Sequence, residues 1–164
     1  MDITFNKVSD FKKGIFTELL SDAYSFDNNI VATYKEKWLD DDEFFFDNPD
    51  IADYCGFIST LGDEIIGFVM CDPRNMPEYA IVGDNCIITK HKGKGYGKLQ
   101  LQEAINRFAQ KGTKKFYVST SSGLTPAQKM YESVGFMRLD ISKLEPWQIE
   151  QKQDIYYRLD LCTK

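Results

Sequence analysis

An apolar run from Tyr79 to Ile88, a lysine-glycine segment from Lys92 to Lys98 reading Lys-Gly-Lys-Gly-Tyr-Gly-Lys, and a periodic stretch from Lys98 to Gln110 follow one another along the chain. The first has the composition of a strand. The last has the spacing of a helix, with Leu101, Ala104, Ile105 and Phe108 on one face. A strand, a glycine turn and a helix in that order restrict the fold to one that sets a helix N-terminus at the end of a sheet strand. Alternate glycines let the backbone turn tightly and bring successive N–H groups toward one anion, and the following helix aims its positive end at the same place. The segment therefore reads as a phosphate cradle. A solvated, lysine-rich turn would tolerate the same glycines; the flanking elements favour the cradle.

The spacing narrows the phosphate ligand. A mononucleotide loop needs Gly-x-x-x-x-Gly-Lys-Ser/Thr, but Lys92 stands where its first glycine would be and Leu99 follows Lys98, so the magnesium-binding hydroxyl is missing. The dinucleotide fingerprint Gly-x-Gly-x-x-Gly fails as well: counted from Gly93 its third glycine falls on Lys98, and counted from Gly95 on Gln100. ATP, GTP, nicotinamide and flavin dinucleotides are poor candidates.

What does match is a loop written Arg/Gln-x-x-Gly-x-Gly/Ala, with Lys92 in the Arg/Gln place and Gly95 and Gly97 following. Downstream, Thr125-Pro126-Ala127-Gln128-Lys129-Met130-Tyr131-Glu132-Ser133-Val134-Gly135-Phe136 carries an alanine, a hydrophobic-tyrosine pair and then Gly-Phe. In these two segments, in this order, the chain resembles the GNAT superfamily of N-acetyltransferases. The resemblance covers about Tyr79 to Phe136. It departs from the family at Lys92, which replaces Arg/Gln, and lacks the asparagine often found ahead of the second helix.

Length and composition suit one domain spanning 1–164: 164 residues, 43% hydrophobic and 14% aromatic, are enough for a packed core and exclude a disordered chain. No apolar run approaches the roughly 20 residues of a membrane span, and the start Met-Asp-Ile-Thr-Phe has no export signal, so a cytoplasmic protein is expected. Cys55, Cys71, Cys86 and Cys162 lie far apart without metal-ligand spacing, three of them in strand-like runs, and read as reduced core thiols with no metal. A formal charge of -5 argues against nucleic acid as partner. Lys90, Lys92, Lys94 and Lys98 crowd the glycine loop, whereas Asp40, Asp41, Asp42, Glu43, Asp47 and Asp50 crowd the first third. That acidic run is a solvated face or an electrostatic funnel for a cationic substrate.

Periodicity and turn chemistry give a mixed α/β order of β-α-α-β-β-β-α-β-α-β-β, the order the resemblance also implies. Ile3 to Val8 alternates as a strand. Ser9 or Asp10 is expected to cap a helix through Phe11, Ile15, Leu19 and Ala23, and Ile30, Val31, Tyr34 and Trp38 mark a second helix. Tyr54 to Thr60 and Ile65 to Cys71 flank a hairpin turn at Leu61-Gly62-Asp63-Glu64, and Asp72 to Pro77 leads into the fourth strand. Lys111-Gly112 closes the long helix and Lys115 to Thr120 is the next strand. Thr125 with Gln128 forms a capping box behind Pro126, and Met137 to Ile141 and Asp154 to Leu161 complete the sheet.

The resemblance implies direct transfer of an acetyl group from acetyl-CoA to a primary amine. Backbone groups of Ile87 and Ile88 would bind the pantetheine arm and polarise the thioester, and Lys92, Gly93, Lys94, Gly95, Tyr96, Gly97 and Lys98 would hold the pyrophosphate. Tyr131 falls where the family places its general acid, though its spacing fits helix packing equally. Thr125 is first an N-cap and second a coenzyme contact. Glu78 and Asp84, at or in the fourth strand, are the candidates for general base. His91, the sole histidine, is expected to be exposed or packed into the loop. Two other readings stay open: a non-catalytic acyl-CoA sensor, and an enzyme acting on a protein or peptide amine. Oligomeric state is also open, a homodimer included.

Overall fold

The computed structural model describes residues 2–140, 142, 144 and 153–161. Their elements are β1 (Ile3–Asn6), α1 (Ile15–Ala23), α2 (Asn28–Asp47), α3 (Pro49–Cys55), β2 (Gly56–Leu61), β3 (Glu64–Asp72), β4 (Ala80–Ile87), α4 (Tyr96–Gln110), β5 (Lys115–Thr120), α5 (Thr125–Val134), β6 (Met137–Arg138) and β7 (Ile155–Asp160). Single 3₁₀ turns occupy Val8–Asp10 and Thr89–His91. The strands form one mixed sheet ordered β1-β2-β3-β4-β5-β7-β6, with β4 and β5 parallel at Ala80↔Phe116 and Ile81↔Tyr117. The expected order holds with one helix added. By packing, the chain divides into two compact units, residues 1–70 with 84–104 and residues 71–83 with 105–164.

In the first unit, Phe16, Leu19, Leu20 and Ala23 of α1 are buried with Trp38 of α2, Ala52 and Cys55 of α3, Ile58 of β2 and Phe68 and Met70 of β3. Phe16 stacks on Phe68 with ring centroids 4.4 Å apart. Leu61 pairs with Glu64 across a two-residue turn in which Gly62 takes φ 58, so the hairpin falls where its residues place it. Three expectations need correction. Ser9 caps no long helix: its N–H and hydroxyl donate to the Asp53 carboxylate at 2.9 and 2.6 Å, and α1 starts only after Gly14. α2 runs on through the acidic stretch to Asp47, so the acidic residues lie within that helix and α3 instead of following the helices. Tyr54 and Cys55 end α3 instead of opening a strand, because Pro49 presets the first helical position and Ala52 and Cys55 bury one side of the turn.

In the second unit, β5 pairs along its length with β7, from Lys115↔Asp160 to Thr120↔Ile155. Both helix ends here are glycine-terminated Schellman turns. Gly112 (φ 102) donates to Ala109 and Thr113 to Phe108; Gly135 (φ 112) donates to Glu132 and Phe136 to Tyr131. The capping box at Thr125 does not form. Leu124 is the cap residue, since its carbonyl accepts the Gln128 N–H at 3.2 Å, and the Gln128 amide donates instead to the carbonyls of Ser121 and Ser122. The penultimate strand is shorter than expected, Met137–Arg138, with Ile141 outside the described residues. Ile155, Tyr157 and Leu159 share one buried face of β7, and Tyr156 is buried as well. Cys55, Cys71 and Cys86 are buried thiols; Cys55 lies on a helix, not a strand, and Cys162 is outside the described residues.

Candidate functional site

The lysine-glycine loop enters α4 through two left-handed residues, Gly93 (φ 76) and Gly95 (φ 86). A Cβ at either would meet nothing within 4 Å, so backbone conformation, not space, demands glycine there. Leu99 is the first residue of α4 to donate into the helix, to the Gly95 carbonyl at 3.2 Å. The N–H groups of Tyr96, Gly97 and Lys98 precede that ladder and face outward with the positive end of the helix dipole. Gly97 itself is helical, not left-handed.

The four lysines divide their work. Lys90 pairs with Glu64 at 2.7 Å and, with His91, holds that carboxyl below its ordinary value. Lys92 donates its Nζ to the Ala23 carbonyl at the end of α1 and lies over the Phe26 ring at 4.8 Å; burial lowers its pKa. Lys94 is exposed and Lys98 half-buried, and these two charges are left to the loop among the described residues. His91 is packed rather than exposed. Its Nε2 lies 2.9 Å from Glu64 Oε2, its ring meets Tyr96 edge-on, and its buried Nδ1 has no partner among the described residues.

Ile87 is buried at the end of β4. Ile88 follows it, donating its N–H to Ile66 at 2.8 Å and accepting from His91 at 3.0 Å. Asp22 of α1 fixes the next residue, taking the Thr89 N–H at 2.7 Å. Asp84, in β4, is half-buried, and its desolvation raises its carboxyl above the ordinary aspartate range; Lys37 opposes the rise and the Asp41 charge adds to it. Burial alone would lower the Lys37 ammonium, but its 2.7 Å bond to Asp41 carries it above its usual value. Glu78 is exposed in the segment ahead of β4.

In the second unit, Tyr131 is buried on α5. Its carbonyl accepts the Phe136 N–H and its ring packs edge-on against Phe136 and tilted against Tyr157, at 5.7 and 5.9 Å. The Tyr157 hydroxyl donates to Glu132 at 2.9 Å. Thr125 opens α5 without capping it.

The acidic run is neither wholly solvated nor a uniform funnel. Asp42 is 2% exposed and accepts from the N–H groups of Gly14, Phe16 and Thr17 and from the Thr17 hydroxyl, while Asp41 and Asp47 pair with Lys37 and Lys13. Sequence reasoning also missed Asn85 and Gln100. The signal for Gln100 was present: it stands four residues before Ala104 on the apolar stripe of α4, where a polar side chain needs buried partners. Among the described residues no three metal-ligating side chains gather at one place, and no helix is long and apolar enough to cross a membrane.

A strand followed by a left-handed glycine loop at a helix N-terminus is an arrangement able to hold an anionic group. The acetyltransferase (GNAT) family model matches residues 15–136, and the chain belongs to that family, whose acyl donor is acetyl-CoA. A [ribosomal protein bS18]-alanine N-acetyltransferase of Haemophilus ducreyi is 29% identical over 92 residues, 56% of this chain and 62% of that protein. The match thus spans about three-fifths of that relative's length. The fold is shared with the PaiA N-acetyltransferase of Thermoplasma acidophilum in complex with coenzyme A (17% identity, 98% and 99% of the chains, TM-score 0.74). It is also shared with an acetyltransferase of Streptococcus agalactiae (14% identity, 98% of each chain, TM-score 0.76).

Proposed function

We propose that this protein transfers the acetyl group of acetyl-CoA directly to a primary amine, with the donor's pyrophosphate held at the start of α4. The supporting observation is the pair of left-handed glycines, Gly93 and Gly95, opening onto the first-turn N–H groups of α4 beside Lys94 and Lys98. The amine nitrogen attacks the thioester carbonyl, the C–S bond breaks, the amine proton goes to a carboxylate and the thiolate takes a proton. Asp84 is the base in this reading, since a half-buried carboxyl whose pKa is raised by desolvation is better matched to an ammonium donor than the exposed Glu78. Tyr131 is the acid, Ile87 and Ile88 carry the pantetheine and thioester, and Thr125 is a secondary coenzyme contact.

The acceptor is a small primary amine, a cationic one being favoured by the carboxylates of α2 that remain exposed, such as Asp40 and Glu43. The similarity to an alanine N-acetyltransferase of a ribosomal protein supports a second reading, in which the acceptor is the α-amino group of a protein N-terminus. Thermal-shift and turnover assays test both readings. At about 100 times Kd, acetyl-CoA should raise Tm by about 5–10 °C, dephospho-CoA nearly as much, and ATP and NAD much less. Gly95→Val should abolish the shift in a folded protein; unchanged acetyl-CoA binding there would sink the assignment. Turnover of polyamines against an alanine-ended peptide separates the two acceptors.

A further inference from the structure

We propose that Gln100 and Asn85 are positioning residues for the acyl donor: together they fix the start of α4 against β3 and β4, and so fix where its N–H groups meet the pyrophosphate. The proposal rests on the reading of the loop as a pyrophosphate cradle.

Gln100 is fully buried one turn into α4. Its amide oxygen accepts the Ser59 hydroxyl at 2.6 Å. Its amide nitrogen lies 2.8 Å from the Phe68 carbonyl, 2.6 Å from Asn85 Oδ1 and 3.2 Å from the Cys86 carbonyl. Two amide hydrogens are therefore shared among three acceptors drawn from β3 and β4. Asn85 in turn donates to the carbonyl of Gly97, in the first turn of α4, at 3.4 Å. The strands are shaped to converge on this amide. A Cβ on Gly67 would stand 2.2 Å from the Cys86 carbonyl, so only glycine allows β3 and β4 to draw this close. The register of β2 against β3 shifts between Ser59 and Thr60, leaving Ile66 as an extra residue beside the one that pairs with Ser59.

A leucine or methionine would complete the apolar stripe of α4 without any desolvation cost. A glutamine with every polar atom matched specifies instead one rotation and one height of the helix, because each bond is lost if the helix slides by an ångström. The ligand depends on that same placement: the field of a helix N-terminus fades within its first turn, and N–H donors act only at hydrogen-bond distance.

The test is Gln100→Met, which keeps length and burial, alongside Asn85→Ala. For Gln100→Met, the Kd and KM for acetyl-CoA should rise about tenfold. kcat/KM with S-acetylpantetheine, which lacks the pyrophosphate, should change less than about twofold, and the KM for the amine should hold. Asn85→Ala should show the same split at smaller size, and it carries the test alone if Gln100→Met does not fold. Acetyl-CoA affinity unchanged in a folded variant overturns the inference. So does equal loss with acetyl-CoA and acetylpantetheine, which would mark a merely structural network. Gly95→Val separates the two levels: if it too binds acetyl-CoA normally, the cradle reading itself has failed, whereas if it alone loses binding, only the positioning role has.

Discussion

Helices α1 and α4 begin in the same way and differ in what meets their first-turn N–H groups. Each follows a left-handed glycine, Gly14 at φ 102 and Gly95 at φ 86, and each presents first-turn N–H groups that no helical carbonyl can satisfy. At α1 the chain supplies its own anion: the Asp42 carboxylate, sent from α2, takes three backbone N–H groups and the Thr17 hydroxyl. At α4, among the described residues, no carboxylate comes, and the flanking charges are lysines. The closed terminus shows what an anion does at such a place in this molecule, and under the proposed function the open one takes its anion from the acyl donor.

The largest effect should come from opening the closed terminus. Asp42→Ala leaves three buried donors without a partner and should cost about 3 kcal/mol, roughly 10²-fold in the folding equilibrium. Tm should then fall by about 6–12 °C. A variant within about 0.5 kcal/mol of wild type in urea unfolding would mean that water satisfies α1 as well as the carboxylate does, and the contrast with α4 would lose its meaning.

Next, holding the anion should be separable from the chemistry done with it. Tyr131→Phe keeps the ring packed on Phe136 and Tyr157 and leaves the α4 terminus alone, so acetyl-CoA affinity should stay while kcat falls about 10²-fold. Wild-type turnover would reduce Tyr131 to a packing residue.

Asp84 should give a rate loss of about the same size, roughly 10²-fold for Asp84→Asn, with loss of the rising limb of the pH-rate profile. Its stability effect has the opposite sign from that of Asp42. A carboxyl raised in the native state keeps its proton where the unfolded chain has released it, so stability falls as pH climbs from the ordinary aspartate value of 3.8 to the raised one. Asp84→Asn should therefore unfold at a higher temperature than wild type at pH 8, and the gain should vanish at pH 3. A destabilised Asp84→Asn at pH 8 would show that the carboxylate is held by favourable bonds, like Asp42, and is no poised base. Glu78→Gln, by comparison, should change kcat less than about twofold.

The smallest effect belongs to the exposed charge beside the open terminus. Lys94→Ala should weaken acetyl-CoA binding about threefold at low salt and less at 0.15 M, because exposed charges are screened over about 8 Å. Salt-independent weakening would point to a loop whose backbone had been disturbed.

The glycine loop was legible because Gly93 and Gly95 need φ values that only glycine adopts freely, and such positions announce themselves locally. The two glycine stops after α4 and α5 and the Gly62 hairpin were legible for the same reason. The caps were not. Ser9 and Thr125 are correct residue types in suitable places, yet Ser9 is drawn to Asp53 and the cap position of α5 falls to Leu124. Propensity says what a side chain can bond, and packing decides what it meets.

Asp42 and Gln100 carry this furthest. In the chain, Asp42 is one of four consecutive acidic residues and Gln100 one polar letter on an apolar stripe; nothing local sets Asp42 apart from Asp41 or Asp40. Local pattern carried most of the elements, the left-handed glycine turn and the resemblance to the family, because these depend on φ, periodicity and residues close along the chain. Packing set which carboxylate meets the start of α1 and which amide bonds α4 to β3 and β4. Those partners lie 25 to 28 and 14 to 41 residues apart, and only the packing of apolar faces brings them within a hydrogen bond.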